Sequence, residues 1–165
     1  MVTKNRAARK RRTYTGLLAV QGAAIVMGAA FLLIGILGFT PGVTAHLDSI
    51  QLVGYRSGAL LFDVFQVSVV QNLSHVAFGI VGLLLARSYA MARAYLLIGG
   101  LLFLGLWIWG LLMHPVSAAN VLPINNADNW LHLGLGVTMT VLALTLAGAR
   151  VPTGAGGEEL VPPPE

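Results

Sequence analysis

Two histidines stand in one repeated pattern. Asn72-Leu73-Ser74-His75 is followed by Gly79, and Asn129-Trp130-Leu131-His132 by Gly136. Both segments read Asn-x-x-His-x-x-x-Gly and lie 57 residues apart (132 − 75 and 136 − 79). On a helix, Asn and His three residues apart share a face, and an imidazole there can ligate haem or metal, carry a proton or hydrogen-bond a neighbour. Gln71 stands one turn before His75. A haem held between His75 and His132 is the sharpest redox chemistry this pattern offers, because Gly one turn after each His leaves room beside the ring.

Other chemistries find less support. Covalent haem attachment through C-x-x-C-H and cysteine nucleophiles are excluded, since the chain has no Cys. An outer-rim metal site would draw on His46, His114, His132, Asp48 and Asp128, which are scattered over two connections without tight ligand spacing; solvated polar residues are the better reading, and the metal line stays open. Within the uncharged helical stretches no acidic residue sits beside a His on one face, and phosphate-binding glycine motifs are absent, so no catalytic residue and no enzyme activity is expected.

The elements that must hold these histidines follow from composition. The chain has 165 residues, of which 56% are hydrophobic and only 10% charged. Soluble domains carry roughly 25% charged residues, so this chain cannot coat a water-facing surface, and a soluble globular enzyme is excluded. Four stretches lack Asp, Glu, Lys and Arg: 16–39, 64–86, 94–113 and 129–149. Each matches the roughly 20 helical residues that cross a bilayer core of about 30 Å, whereas barrel strands would be about 10 residues with strict alternation. The expected fold is an all-α integral membrane protein with four transmembrane helices.

Basic residues set its orientation. Lys4, Arg6, Arg9, Lys10, Arg11, Arg12, Arg87, Arg93 and Arg150 fall on one side and Arg56 on the other, which places both termini in the cytoplasm of a multi-pass plasma-membrane protein. The amino-terminal basic segment, 1–13, then acts as a topology anchor on anionic lipid; nucleic-acid binding is not expected, since no stacking aromatics interleave the charges. Val43-Thr44-Ala45 imitates a signal cleavage site, but the apolar run before it exceeds the 7–15 residues of a signal core, and an uncleaved first helix is expected. The transmembrane domain covers 14–150, and the Pro/Gly/Glu segment 151–165 reads as a disordered cytoplasmic tail.

Connections and faces complete the picture. Pro41-Gly42 stops the first helix, and 58–63 extends the second if it is helical, so that helix starts near 58 or near 64. Asn126 or Asp128 caps the fourth helix. The short Arg87–Arg93 connection makes helices two and three antiparallel neighbours. Ser68, Asn72, His75, Gly79, Gly82 and Ala86 form one face of helix two, and Asn125, Asn129, His132, Gly136, Ala143 and Ala147 a similar face of helix four. Gln21, Ala24, Gly28, Gly35 and Gly38 offer a partner face on helix one. The repeat makes the protein two helical hairpins related by an axis along the membrane normal, although helices one and three match only through scattered Gly and a Pro after each.

Depth argues against a shared haem. Measured from the inner boundary at 1.5 Å per residue, His75 lies about 18 Å deep and His132 about 27 Å, so the two imidazoles would differ by roughly 9 Å. A packing role for Gln71, Asn72, His75, Asn129 and His132 therefore ranks first, with Gly28, Gly35, Gly79, Gly82 and Gly136 as packing residues and no cofactor expected. Solute transport would want intramembrane carboxylates, which the spans lack; a channel would need a hydrated path around Gln66, Gln71, Asn72 and His75.

Phe65-Gln66-Val67-Ser68, Asn72-Leu73-Ser74-His75, the Gly79–Arg87 continuation, Phe39-Thr40-Pro41-Gly42 and above all Ala127-Asp128-Asn129-Trp130-Leu131-His132-Leu133-Gly134 carry a resemblance. Over about Thr15–Arg150 the chain resembles the four-helix bacterial membrane family catalogued as domain of unknown function 4383, common in actinobacteria. That resemblance implies a plasma-membrane location and four spans, and it implies no activity and no catalytic residue. The function expected from the sequence is thus a structural or accessory membrane module, embedded in lipid and packing through its Gly/Asn/His faces within itself or against another membrane protein. A haem- or metal-binding redox protein and a small-solute transporter or channel are the alternatives.

Overall fold

The computed structural model describes residues 18–114, 117 and 121–146. The basic amino-terminal segment, the Pro/Gly/Glu tail, Pro115, Asn120 and Ala147 lie outside the described residues. The described chain is mostly helical, with four helices: α1 (Ala19–Leu37), α2 (Val69–Leu85), α3 (Tyr89–Leu112) and α4 (Asn126–Thr145). Two of them, α1 and α3, are long and apolar enough to cross a membrane. The 17 residues of α2 fall short of that length.

Each helix begins where a side chain satisfies the amide protons that a first turn leaves free. Ser68 Oγ accepts from Gln71 N at 3.2 Å and Ser88 Oγ from Met91 N at 3.3 Å. The cap of α4 is Asn125, one residue before the expected Asn126. Its Oδ1 accepts from Asp128 N at 2.9 Å while Asp128 Oδ2 accepts from Asn125 N at 2.9 Å, a reciprocal capping box. For α1, Gln21 Oε1 accepts from Leu18 N at 3.0 Å.

The long first connection is not helical. It holds a three-stranded antiparallel sheet of two-residue strands, β1 (Thr44–Ala45), β2 (Leu60–Leu61) and β3 (Phe65–Gln66), in the order β1-β2-β3. Thr44 pairs with Leu61 and Leu61 with Phe65. The expectations of an all-α fold and of a second helix reaching back to 58 or 64 are corrected by this sheet, since α2 starts at Val69. Phe62 and Asp63 turn the β2–β3 hairpin with φ of 54° and 60°, the left-handed region that such tight turns require and that a bulky Phe rarely enters. The sheet buries Ala59, Leu61 and Val67 against Ile34 and Leu37 at the end of α1.

Packing pairs the helices differently from their order along the chain. The extensive contacts are α1 with α2 and α3 with α4; α1 touches α3, and α2 meets α3 only sparsely despite the short turn between them. The expectation that α2 and α3 pack as neighbours is corrected for a steric reason. Glycines admit the close approaches, and they face along α1–α2 and α3–α4. A Cβ on Gly79 would lie 2.5 Å from Leu32 N and 2.6 Å from Gly28 O, and one on Gly136 would lie 2.9 Å from Leu104 N.

Candidate functional site

The two helix pairs are copies of one another, and the copying reaches individual atoms. In α2 and α4 the offset is 57: Ser68 and Asn125 cap, and Asn72, His75 and Gly79 correspond to Asn129, His132 and Gly136. In α1 and α3 the offset is 72 (100 − 28, 103 − 31 and 110 − 38), matching Gly28, Phe31 and Gly38 to Gly100, Phe103 and Gly110. A Cβ on Gly28 would lie 3.0 Å from Gly79 O, and one on Gly100 would lie 3.0 Å from Gly136 O. Gly38 abuts the Asn72 side chain as Gly110 abuts that of Asn129. Gln21 Nε2 donates to Ala86 O at 2.9 Å, and its counterpart Arg93 donates through Nε to the equivalent Ala143 O at 3.3 Å. The match of helices one and three therefore extends well beyond scattered Gly. Two different offsets concealed it, because the path between equivalent positions is 15 residues longer from α1 to α2 (79 − 28 = 51) than from α3 to α4 (136 − 100 = 36).

The same symmetry brings the histidines together. His75 and His132 each stand six residues after the first residue of their helix (75 − 69 and 132 − 126), and both border the same two chambers. The expected offset of roughly 9 Å, counted from Arg87 and Arg150, does not keep them apart. Phe31 and Phe103 stack at 5.1 Å between ring centroids with 7° between planes. His75 lies 5.8 Å from the Phe31 ring and His132 lies 5.6 Å from the Phe103 ring, a second symmetric pair.

Two chambers flank this aromatic centre, and they are equivalent by the same offsets. The first, of about 320 Å³, is lined by Gln71, Ser74, His75 and Phe78 of α2, by Leu102, Phe103 and Leu106 of α3, by Leu122 and by His132. The second, of about 110 Å³, is lined at the corresponding positions by Asp128, Leu131, His132 and Leu135 of α4 and by Phe31 and Ile34 of α1. It is also lined by Leu61, Phe62, Phe65 and Val67 from the inserted sheet. Gln71, His75 and His132 border both.

Polar groups are treated differently at the two places. Asp128, only 2% exposed, accepts from Gln66 N at 3.1 Å in addition to its capping bond, and Asn125 Nδ2 donates to Val64 O at 2.8 Å. The sheet is thus tied to the start of α4. At the equivalent of Asp128, Gln71 Oε1 is buried without a hydrogen-bond partner among the described residues. The same holds for Nδ1 of His75 and of His132, both amide atoms of Asn72 and Oδ1 of Asn129. Burying such atoms unpaired costs about 1–3 kcal/mol each, so they are the groups with most to gain from a ligand.

Of the residues singled out from sequence, Gln71, His75 and His132 meet at the chambers. Asn72 and Asn129 instead lie against Gly38 and Gly110. Gly28, Gly35 and Gly79 pack α1 on α2, Gly136 packs α4 on α3, and Gly82 receives the Tyr95 ring. Phe31 and Phe103 were missed, although the Gly-x-x-Phe shared by 28–31 and 100–103 carried the signal. Among the described residues no three of His, Asp or Glu gather in a group able to hold a metal ion, and His46, His114 and Asp48 contribute to neither chamber.

Residues 21–145 match the family described as Domain of unknown function (DUF4383). No curated protein and no solved structure matches the chain.

Proposed function

Since the chain belongs to that family, whose description assigns no activity, we propose from its own geometry that it is a four-span plasma-membrane module with both termini cytoplasmic, structural or accessory rather than catalytic. One observation carries this reading. The small and polar faces are consumed inside the helix pairs, while the outward faces are large and apolar: Val26 is 66% exposed, Ile98 65%, Leu112 72% and Leu144 57%. Such a surface suits hydrocarbon and is costly in water. The sidedness rests on the basic residues, with Arg87 and Arg93 beside the α2–α3 turn and the sheet on the opposite side.

The absence of Cys makes the test direct. Asp48→Cys beside the sheet and Ala90→Cys in the first turn of α3 are labelled with a membrane-impermeant maleimide. The expected result is labelling of position 48 on intact cells and of position 90 only after permeabilisation. Labelling of both from one side would remove the four-span reading, and the reverse pattern would invert the orientation. A native mass spectrum in mild detergent then separates a self-contained module from an accessory subunit by whether a second protein accompanies the 17.4 kDa chain.

A further inference from the structure

The two chambers are lined at corresponding positions but differ in what else borders them, and the smaller one shows what the larger one accepts. The second chamber is walled on one side by the chain's own sheet: apolar Leu61, Phe65 and Val67 line it, and a backbone N–H from Gln66 meets the buried polar group at position 128. An apolar body with one hydrogen-bonding edge therefore satisfies this architecture. Among the described residues the first chamber has no such sheet beside it, only Leu122 from the second connection, and it measures about 320 Å³ against about 110 Å³. There the polar group is Gln71, 8% exposed, together with His132, 5% exposed, and His75, all with unpartnered atoms.

We infer that the first chamber is a binding site for a quinone-type molecule, one or two fused rings bearing ring oxygens, that enters from the lipid between α2 and α3. Four features select that class. A dry cavity of about 150 Å³ holds benzene, so about twice that volume holds a one- or two-ring head, whereas a haem with its four pyrroles is larger. Phe78, Phe103 and His75 line it as an aromatic wall against which such a ring packs. A neutral imidazole and a primary amide each offer a donor and an acceptor, which suits both a carbonyl and a hydroxyl on the ring. A neutral ligand is favoured because the acidic group of the smaller chamber is replaced here by an uncharged amide. The mouth is bordered by Ser74 and by Leu102, which is 50% exposed, and it opens where α2 and α3 touch least, leaving an apolar tail a path outward.

Entry from lipid rests on the membrane reading above, and binding itself does not. The full chain in lipid nanodiscs is titrated with menadione, a two-ring quinone, while thermal stability and tryptophan fluorescence are followed. Methylnaphthalene, which has the rings without the oxygens, is the control. Saturable stabilisation by menadione is expected. Gln71→Leu and His75→Leu should each weaken it on the order of tenfold, the loss typical of a hydrogen bond left unmade. Ser74→Phe, at an exposed position on the mouth, should abolish it with the helical circular dichroism unchanged, which keeps the test decisive if the two buried substitutions unfold the chain. Equal affinity for methylnaphthalene, unaltered binding by Ser74→Phe, preference for a single-hydroxyl isoprenoid alcohol, or no saturable binding would each overturn the proposal. Repeating the titration in detergent micelles keeps the site measurable even if the labelling pattern contradicts four spans.

Discussion

The chamber between α1 and α4 and the chamber between α2 and α3 are lined by corresponding residues, yet the former holds about 110 Å³ and the latter about 320 Å³. The difference lies in a connection, not in the helices. The first connection is long enough to fold into a sheet that plugs its own half, and it is held by Asp128 and Asn125. At the position of Asp128 the other half carries Gln71, which secures nothing among the described residues. A repeated scaffold thus keeps a symmetric core while its two chambers differ in size and in polar partners. The shared centre of stacked Phe31 and Phe103 belongs to both halves and cannot diverge without cost to each.

The sharpest way to break this comparison is at that centre. Phe31→Ala and Phe103→Ala should each destabilise by about 3–5 kcal/mol, as large-to-small core changes do, and by nearly equal amounts. The double substitution should fall short of additivity because the rings touch each other. Unfolding followed by circular dichroism in detergent checks this, and a difference of more than about half between the two single variants would contradict the symmetric centre.

Leu61→Ala addresses the plug itself. It should cost about 2–4 kcal/mol and enlarge the smaller chamber toward the size of the larger one. Stabilisation of this variant by a small apolar ligand that leaves the parent chain unaffected is the expected outcome; an unchanged ligand response would mean that the helices, not the sheet, close that chamber.

Asp128→Ala and Gln71→Ala form a matched pair at equivalent positions. Loss of the capping box and of the tie to β3 should cost about 1–2 kcal/mol and speed amide exchange over 60–66. Gln71→Ala removes a buried amide oxygen that has no partner among the described residues, so it should cost less than Asp128→Ala. Comparable losses at both positions would show that Gln71 holds structure as Asp128 does.

The smallest effect separates glycines that the packing requires from those it does not. A Cβ on Gly134 meets nothing within 4 Å, whereas one on Gly136 would press on Leu104. Gly134→Ala should stabilise by about 0.5–1 kcal/mol through helix propensity, and Gly136→Ala should destabilise by about 1–3 kcal/mol through overpacking. Equal melting temperatures for the two variants would remove the distinction.

Much of the scaffold was legible in the residues. Uncharged apolar runs announce four helices because a long segment without charge satisfies its backbone internally. The shared Asn-x-x-His-x-x-x-Gly announces related faces on α2 and α4. The resemblance carried by Asp128-Asn129-Trp130-Leu131-His132 agrees with the family matched over 21–145. The strands were not legible: two residues per strand leave no alternation to read, and Phe62 at positive φ contradicts its local preference. The second half of the repeat was hidden because an insertion gives α1 and α3 an offset different from that of α2 and α4.

The sequence by itself determined the helical, apolar character of the chain, the small-residue faces and the doubling of the histidine pattern, because these are periodicities within single segments. Only the tertiary structure decided that α1 pairs with α2 and α3 with α4, that His75 and His132 share one centre, and that one of two equivalent chambers is plugged by the chain itself. Those outcomes depend on how closely glycine lets two backbones approach and on where an inserted loop finds buried polar groups to bind. Such relations join residues from 36 (136 − 100) to 72 (103 − 31) positions apart, and no local pattern records them.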